Sequence, residues 1–212
     1  VFSGGRKLVG GLVLLVALFG LGAVAKTAAV TRWDIAFDEG LAEQRNGALT
    51  WLAKAATDVA QTSVGVALAL LVPLVLWVLR RRRDAVRVLI AFVGALILAL
   101  VAKMTVSEHR PPARLWVEAP DNAHSFPSGH TTIAAALALA LVLVVRGRAR
   151  AVVAVLGVLL TAGVALARMY LGVHYLPDVV GGVLSAVAAL LLALGIVELW
   201  PGKAPQEAAA SR

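Results

Sequence analysis

Six stretches without a single charged side chain dominate this sequence: Leu8 to Ala25, Thr62 to Leu79, Val88 to Ala102, Thr131 to Val145, Ala151 to Ala167 and Val179 to Val197. About 20 such residues cross the ~30 Å hydrocarbon core of a bilayer as one helix. A water-soluble domain of this size could not hide so much apolar surface in one core, since 60% of the 212 residues are hydrophobic and only 15% are charged. The stretches beginning at Val88 and Thr131 are the short ones. Arg87 and Lys103 can snorkel from the first, and Pro127 to His130 can lengthen the second as its opening turn. Leu, Val and Ala recur with none of the period-2 alternation of a transmembrane barrel, so the spans are expected to be helices.

The expected fold is therefore all-α: a polytopic membrane protein built as a six-transmembrane-helix bundle. One domain is expected over residues 1–200, followed by a small, polar tail over 201–212 that reads as disordered and cytoplasmic. Arg6, Lys7 and the terminal Ala23-Val24-Ala25 of the first stretch also fit a cleavable secretory signal, but the segment is read here as the first span. Pro73 is expected to kink the second span. Cysteine is absent, so the chain has no disulfide or thiolate chemistry.

Charge then sets an orientation. With the N-terminus in the cytoplasm, Arg6, Lys7, Arg80 to Arg83, Arg87, Arg146, Arg148, Arg150, Lys203 and Arg212 all fall inside, whereas nine of the 12 acidic residues fall outside. Such bias in short loops is the positive-inside pattern, so both termini are expected in the cytoplasm. The net charge of +8 is a topology signal rather than a nucleic-acid footprint, because the Arg runs sit at span ends and are not interleaved with aromatics. Membrane lipids with anionic headgroups are the expected partners, and nucleic acid is not. Between the first two spans, Trp33, Phe37 and Leu41 recur at i, i+4 and i+8, opposite Asp34, Asp38 and Arg45, which predicts an interfacial helix.

Three clusters break the apolar pattern, and the expected topology puts all three on the extracytoplasmic side. Lys103 with Arg110-Pro111 closes the third span; Pro127-Ser128-Gly129-His130 opens the fourth; Arg168, His174 and Asp178 bridge the fifth and sixth. Taken singly, a Lys or Arg at a helix end is usually an interface anchor, and His109 and His124 read as inert. Together, Lys103, Arg110 and Arg168 concentrate three cations, two of them guanidiniums whose forked donors match phosphate oxygens. Pro127 suits a first helical turn, and Gly129 leaves the amides near Ser128 open to the same anion, with the Ser128 hydroxyl as a further donor.

Phosphoryl transfer needs a nucleophile and a proton donor, and two histidines are present. Asp178, four residues after His174, can hold one imidazole nitrogen and leave the other as the nucleophile. His130 is then the acid for the leaving oxygen and later the base for water. Metal binding is the competing reading, because His130, His174, Asp178 and Glu108 are possible ligands. Three cations would repel a divalent ion, so neither a metal nor any other cofactor is expected.

Lys103, Arg110-Pro111, Pro127-Ser128-Gly129-His130, Arg168, His174 and Asp178 together resemble the tripartite signature of the type 2 phosphatidic acid phosphatase superfamily, whose active site is shared with vanadium haloperoxidases and glucose-6-phosphatases. The resemblance covers residues 103 to 178. It implies metal-independent dephosphorylation with His174 as nucleophile, Asp178 as its orienter and His130 as general acid. It also implies phosphate binding at Lys103, Arg110, Ser128, Gly129 and Arg168. One departure is Ala167, where the family usually carries Ser, and one phosphate hydrogen bond is expected to be lost there. The expected substrate is a lipid phosphate of the outer leaflet of a bacterial plasma membrane. Polyprenyl diphosphate comes first, then phosphatidylglycerophosphate or phosphatidic acid. A phospholipid-head transferase on the same scaffold is the alternative. A transporter is disfavoured because the span cores hold no ionisable residue. No sequence feature sets an oligomeric state.

Overall fold

A computed structural model describes residues 3–200; the tail expected to be disordered lies outside the described residues. Among the described residues the regular structure is helical, with no strand beyond one isolated bridge between His109 and His124. The helices are α1 (Gly4–Ala25), α2 (Ala28–Glu43), α3 (Gly47–Asp58), α4 (Thr62–Val78), α5 (Arg82–Val106), α6 (Gly129–Val144), α7 (Ala149–Tyr170) and α8 (Leu176–Leu199), with a 3-10 turn at Ala113–Leu115.

Four helices, α1, α5, α7 and α8, are long and apolar enough to cross a membrane, and α3 with α4 forms a fifth candidate bent by 40° at a short break. Helix α6 falls below that length. Its 16 residues rise about 24 Å, short of the ~30 Å hydrocarbon core. The side chain of Ser128 caps its start, and the chain turns beyond its end through Gly147 at φ +67°. The structure thus has four to five candidate spans where six were expected: the short α6 accounts for one, and the 17-residue α4 for the other unless it is joined to α3.

Helix α8 is the axis of the bundle, with α1, α5 and α6 packed along it. Its inward face carries Gly181, Gly182, Ser185, Ala186, Ala188, Ala189 and Ala193, and such small residues let helices approach closely when hydrophobic force between them is weak. Val88, Phe92 and Ala95 of α5 meet Ala135, Ala136 and Ala140 of α6 there. The outer faces carry bare apolar side chains, among them Val16, Leu70, Val158 and Leu159, as a lipid-facing surface requires. The chain is an integral membrane protein.

The two ends of the bundle differ in chemistry. At one end the buried Asp84 of α5 draws in Arg81 at 2.7 Å and Arg87 and Arg146 at 3.5 Å each, while Lys7 of α1 pairs with Glu198 of α8. Arg81 also donates to the carbonyl of Val144 at the end of α6 (2.7 Å). The three clusters singled out in the sequence lie at the other ends of α5, α6, α7 and α8.

Helix α2 has the expected amphipathic pattern, with its apolar face turned outward. Trp33 and Phe37 stack at 5.5 Å and point outward, whereas Asp34 and Asp38 are each 1% exposed. The apolar face of this helix is its outer face, and its acidic face lies against the protein near Leu176 at the start of α8. The loop is also more structured than expected, because Asn46 accepts from the amide of Leu49 (2.9 Å) and starts α3.

Candidate active site

Helix α5 ends at Ser107, whose φ of 51° breaks the helical path, and the chain then closes a long loop on itself. The amide of Ser125 donates to the carbonyl of Glu108 (2.8 Å), next to the His109–His124 bridge. Lys103, in the last turn of α5, ties this closure down by donating to the carbonyls of His124 (2.8 Å) and Ser125 (3.0 Å). Arg110 is held by Asn122, with Nε on its carbonyl (3.1 Å) and Nη2 on its Oδ1 (3.0 Å). That leaves Nη1 to donate to the carbonyl of Val173 (2.7 Å) and to Nε2 of His174 (2.9 Å).

His174 sits in the tight reversal between α7 and α8. Gly172 makes that reversal possible: its φ is +74°, and a Cβ there would stand 1.9 Å from the carbonyl oxygen of Leu115. Arg45 clamps the same spot, donating to the carbonyls of Tyr170 (2.9 Å) and Leu115 (2.7 Å). Asp178 then closes the first turn of α8, accepting from the Tyr175 amide (2.8 Å), from Nδ1 of His174 (3.1 Å) and from the Ser125 hydroxyl, all on Oδ2.

The ring of His174 is therefore gripped at both nitrogens. A donor on Nε2 and a carboxylate on Nδ1 fit one tautomer, with the proton on Nδ1 and the lone pair on Nε2. Burial holds the imidazole well below its ordinary pKa, and the positive charges of Arg110, Arg168 and Lys103 press in the same direction. Arg110 is itself lowered to about 10, chiefly by burial, and stays charged at neutral pH.

His130 and Arg168 face a cavity of about 400 Å³, rimmed by Asp58, Gln61, Glu118 and Asp121. Arg168 is 3% exposed, and its Nε has no hydrogen-bond partner among the described residues. Ser128 is fully buried, and its Oγ accepts from the amide (3.4 Å) and hydroxyl (3.1 Å) of Thr131 as the cap of α6. Gly129 faces open space. Unlike the Thr131 amide, which Ser128 caps, the amides of Gly129 and His130 have no partner within the helix. Helix α8 reaches this turn through Gly182, where a Cβ would meet the carbonyl of Ser128 at 2.8 Å and the amide of Thr132 at 3.0 Å.

The structure thus brings His174, Asp178 and Arg110 into direct contact, and sets Lys103, Arg168 and His130 close enough to act on His174 through their charge. Ser128 is engaged as a helix cap. Three neighbours escaped the sequence reading: Ser125, Asn122 and Glu108 as a partner of Asp178. Ser125 stands two residues before Pro127, so proximity to the second cluster was its only signal. Among the described residues, no group of three or more His, Asp or Glu is arranged to hold a metal ion.

The model of the PAP2 superfamily matches residues 84–200, more than half of the chain. The chain belongs to the PAP2 superfamily. Its fold is similar to that of the transmembrane PAP2-type phosphatidylglycerolphosphate phosphatase from Bacillus subtilis, at 24% identity and a TM-score of 0.74, covering 87% of this chain and 93% of that one. It is also similar to LpxE of Aquifex aeolicus, at 20% identity and a TM-score of 0.57, covering 76% of this chain and 94% of that one. No curated protein matches the sequence. For this PAP2 superfamily member, the matched segment runs from Asp84 to the end of the described residues and so contains all three clusters.

Proposed function

We propose that this membrane phosphatase removes a phosphate group from a lipid phosphate through a phosphohistidine on His174, without a metal ion. The observation that carries the reading is the line Asp178–His174–Arg110, in which a buried neutral imidazole presents Nε2 to a guanidinium. When a phosphoryl group arrives, Arg110 moves its donors to the phosphate oxygens and Nε2 attacks phosphorus in line with the leaving oxygen, an alkoxide from a monoester or a phosphate oxygen from a diphosphate. Arg168, Lys103 and the open amides at Gly129 stabilise the transferring group, whose catalysis rests on positioning and charge. His130 protonates the leaving oxygen, then takes a proton from the water that hydrolyses the phosphohistidine. Three cations at one site disfavour a divalent ion and favour an oxyanion, which supports the metal-independent reading.

The positive-inside pattern supports a site on the extracytoplasmic face of a bacterial plasma membrane, with both termini in the cytoplasm. In this reading α1, the bent α3–α4 pair, α5, α6, α7 and α8 make six spans, the short α6 being extended at its start by Pro127 and Ser128. Helix α2 lies at the interface with Trp33 and Phe37 toward lipid. An outer-leaflet polyprenyl diphosphate is the first substrate choice. The likeness to a phosphatidylglycerolphosphate phosphatase favours phosphatidylglycerophosphate as the second.

The test is phosphate release by purified protein from a panel of polyprenyl diphosphate, phosphatidylglycerophosphate and phosphatidic acid, with chelator and with vanadate. Release in chelator, inhibition by vanadate and loss of turnover in His174→Ala are expected. Activity abolished by chelator and restored by one divalent metal would contradict the reading.

A further inference from the structure

Behind His174 lies a layer of buried acids, of which the phosphoryl chemistry uses only Asp178. Asp178 accepts three hydrogen bonds, all on Oδ2, while its Oδ1 is buried without a donor. A fully buried carboxylate oxygen in that state is costly, so a donor is needed there. The side chain of Glu108 lies within hydrogen-bonding reach of Asp178; it is 4% exposed, and its Oε2 likewise has no partner among the described residues. Two facing carboxyl groups satisfy each other when one of them carries a proton.

The backbone makes this meeting a built feature of the loop. Ser125 donates its amide to the backbone carbonyl of Glu108 and its hydroxyl to Asp178 Oδ2, so one residue ties the Glu108 backbone to the Asp178 side chain. We propose that Glu108, in its acid form, donates a hydrogen bond to Asp178 Oδ1 and thereby fixes the carboxylate that orients His174. Glu108 is a positioning residue, acting on the nucleophile through Asp178. The inference rests on the reading of His174 as nucleophile and Asp178 as its orienter.

The groups around Glu108 make the acid form the favoured one. Burial comes first, then the charge and contact of Asp178 at the head of α8 and the charge of Asp34 on α2, which together push Glu108 up to about 9; Lys26 at the end of α1 works against them. Lys103 of α5 also faces Glu108, and Tyr175 sits in the same acid layer with Asp38. Above about pH 9, Glu108 loses its proton and becomes a second carboxylate against Asp178. Turnover is then expected to fall with rising pH.

The experiment uses the full chain in detergent, with phosphate release measured against pH for Glu108→Leu and Glu108→Gln. Leu keeps bulk but no donor, and kcat is expected to fall roughly tenfold, the value of one lost buried hydrogen bond, with KM little changed. Gln restores a donor that cannot ionise, so it is expected to recover most of that loss and to abolish the alkaline limb near pH 9. Asp38→Asn, which removes the neighbouring acid on α2, is expected to leave that limb in place. Equal kcat in the Leu and Gln variants, or an alkaline limb unchanged in Glu108→Gln, would overturn the proposal.

Infrared spectroscopy decides the protonation without turnover. In an Asp38→Asn background, which removes a second acid raised to about 8, a carbonyl stretch of a protonated carboxylic acid, present near neutral pH, lost above pH 9 and missing when Glu108→Gln is added, is expected. Its absence overturns the proposal even where Glu108→Leu fails to fold. A wild-type protein that releases no phosphate yet shows this band would sink the phosphatase reading and leave the Glu108 proton standing.

Discussion

His174 is a base that its surroundings keep from being protonated. Burial and the cations Arg110, Arg168 and Lys103 all hold the imidazole well below its ordinary pKa. In its proposed role as nucleophile, His174 is therefore expected to stay neutral at pH values where a free histidine is charged, and formation of the phosphoenzyme is expected to persist below pH 6. Replacing Arg110 by Gln removes one positive neighbour, so the His174 pKa rises and the acid limb moves to higher pH. Single-turnover phosphorylation followed against pH checks that direction. Asp178→Asn keeps the shape but offers an amide to Nδ1, which favours the wrong tautomer; a kcat loss on the order of 10³-fold or more is expected. The residues of the candidate site stood out in the sequence because they break the apolar pattern at the ends of the spans, and the structure brings His174, Asp178 and Arg110 together. Glu108, Ser125 and Asn122 did not stand out, since their partners are set by how the loop between α5 and α6 folds back on itself, which no local spacing reports.

At the scale of elements, close backbone approaches hold the site together. Gly182→Val pushes a side chain into the Ser128 carbonyl and Thr132 amide, both backbone groups that cannot step aside. Helix α8 is then expected to separate from the start of α6, lowering both the melting temperature and kcat. Helix α2 gives the opposite lesson. Its amphipathic period was readable, but which face turns inward depends on what surrounds the helix, and here the apolar face is the outer one. Asp38, pushed up to about 8 mainly by burial, contributes stability that is full below its unfolded value of 3.8 and lost as pH rises through 8. Asp38→Asn removes that loss. The variant is expected to melt above the wild type near pH 9 and to match it below pH 4, which calorimetry across that range would check.

For the whole molecule, the charge pattern and the helix ends agree. The arginines flanking α5 and α6 gather on Asp84, at the end of the bundle remote from His174. The all-helical membrane fold was plain from six uncharged stretches. Their count was less secure, because α6 is short and the span before α5 is bent, and both depend on local caps and breaks that hydropathy does not register. The chain has no cysteine, so a single Cys at the exposed Arg114 is a clean reporter of side. An impermeant thiol reagent is expected to label it in intact cells, and labelling only after lysis would reverse the proposed orientation.

The most direct measurement traps the covalent intermediate. Wild-type protein, mixed in chelator with a substrate labelled in its terminal phosphate and quenched in alkali, is expected to carry acid-labile phosphate on the peptide containing His174. Label on another residue, or steady turnover with no phosphohistidine at any time point, would contradict the account.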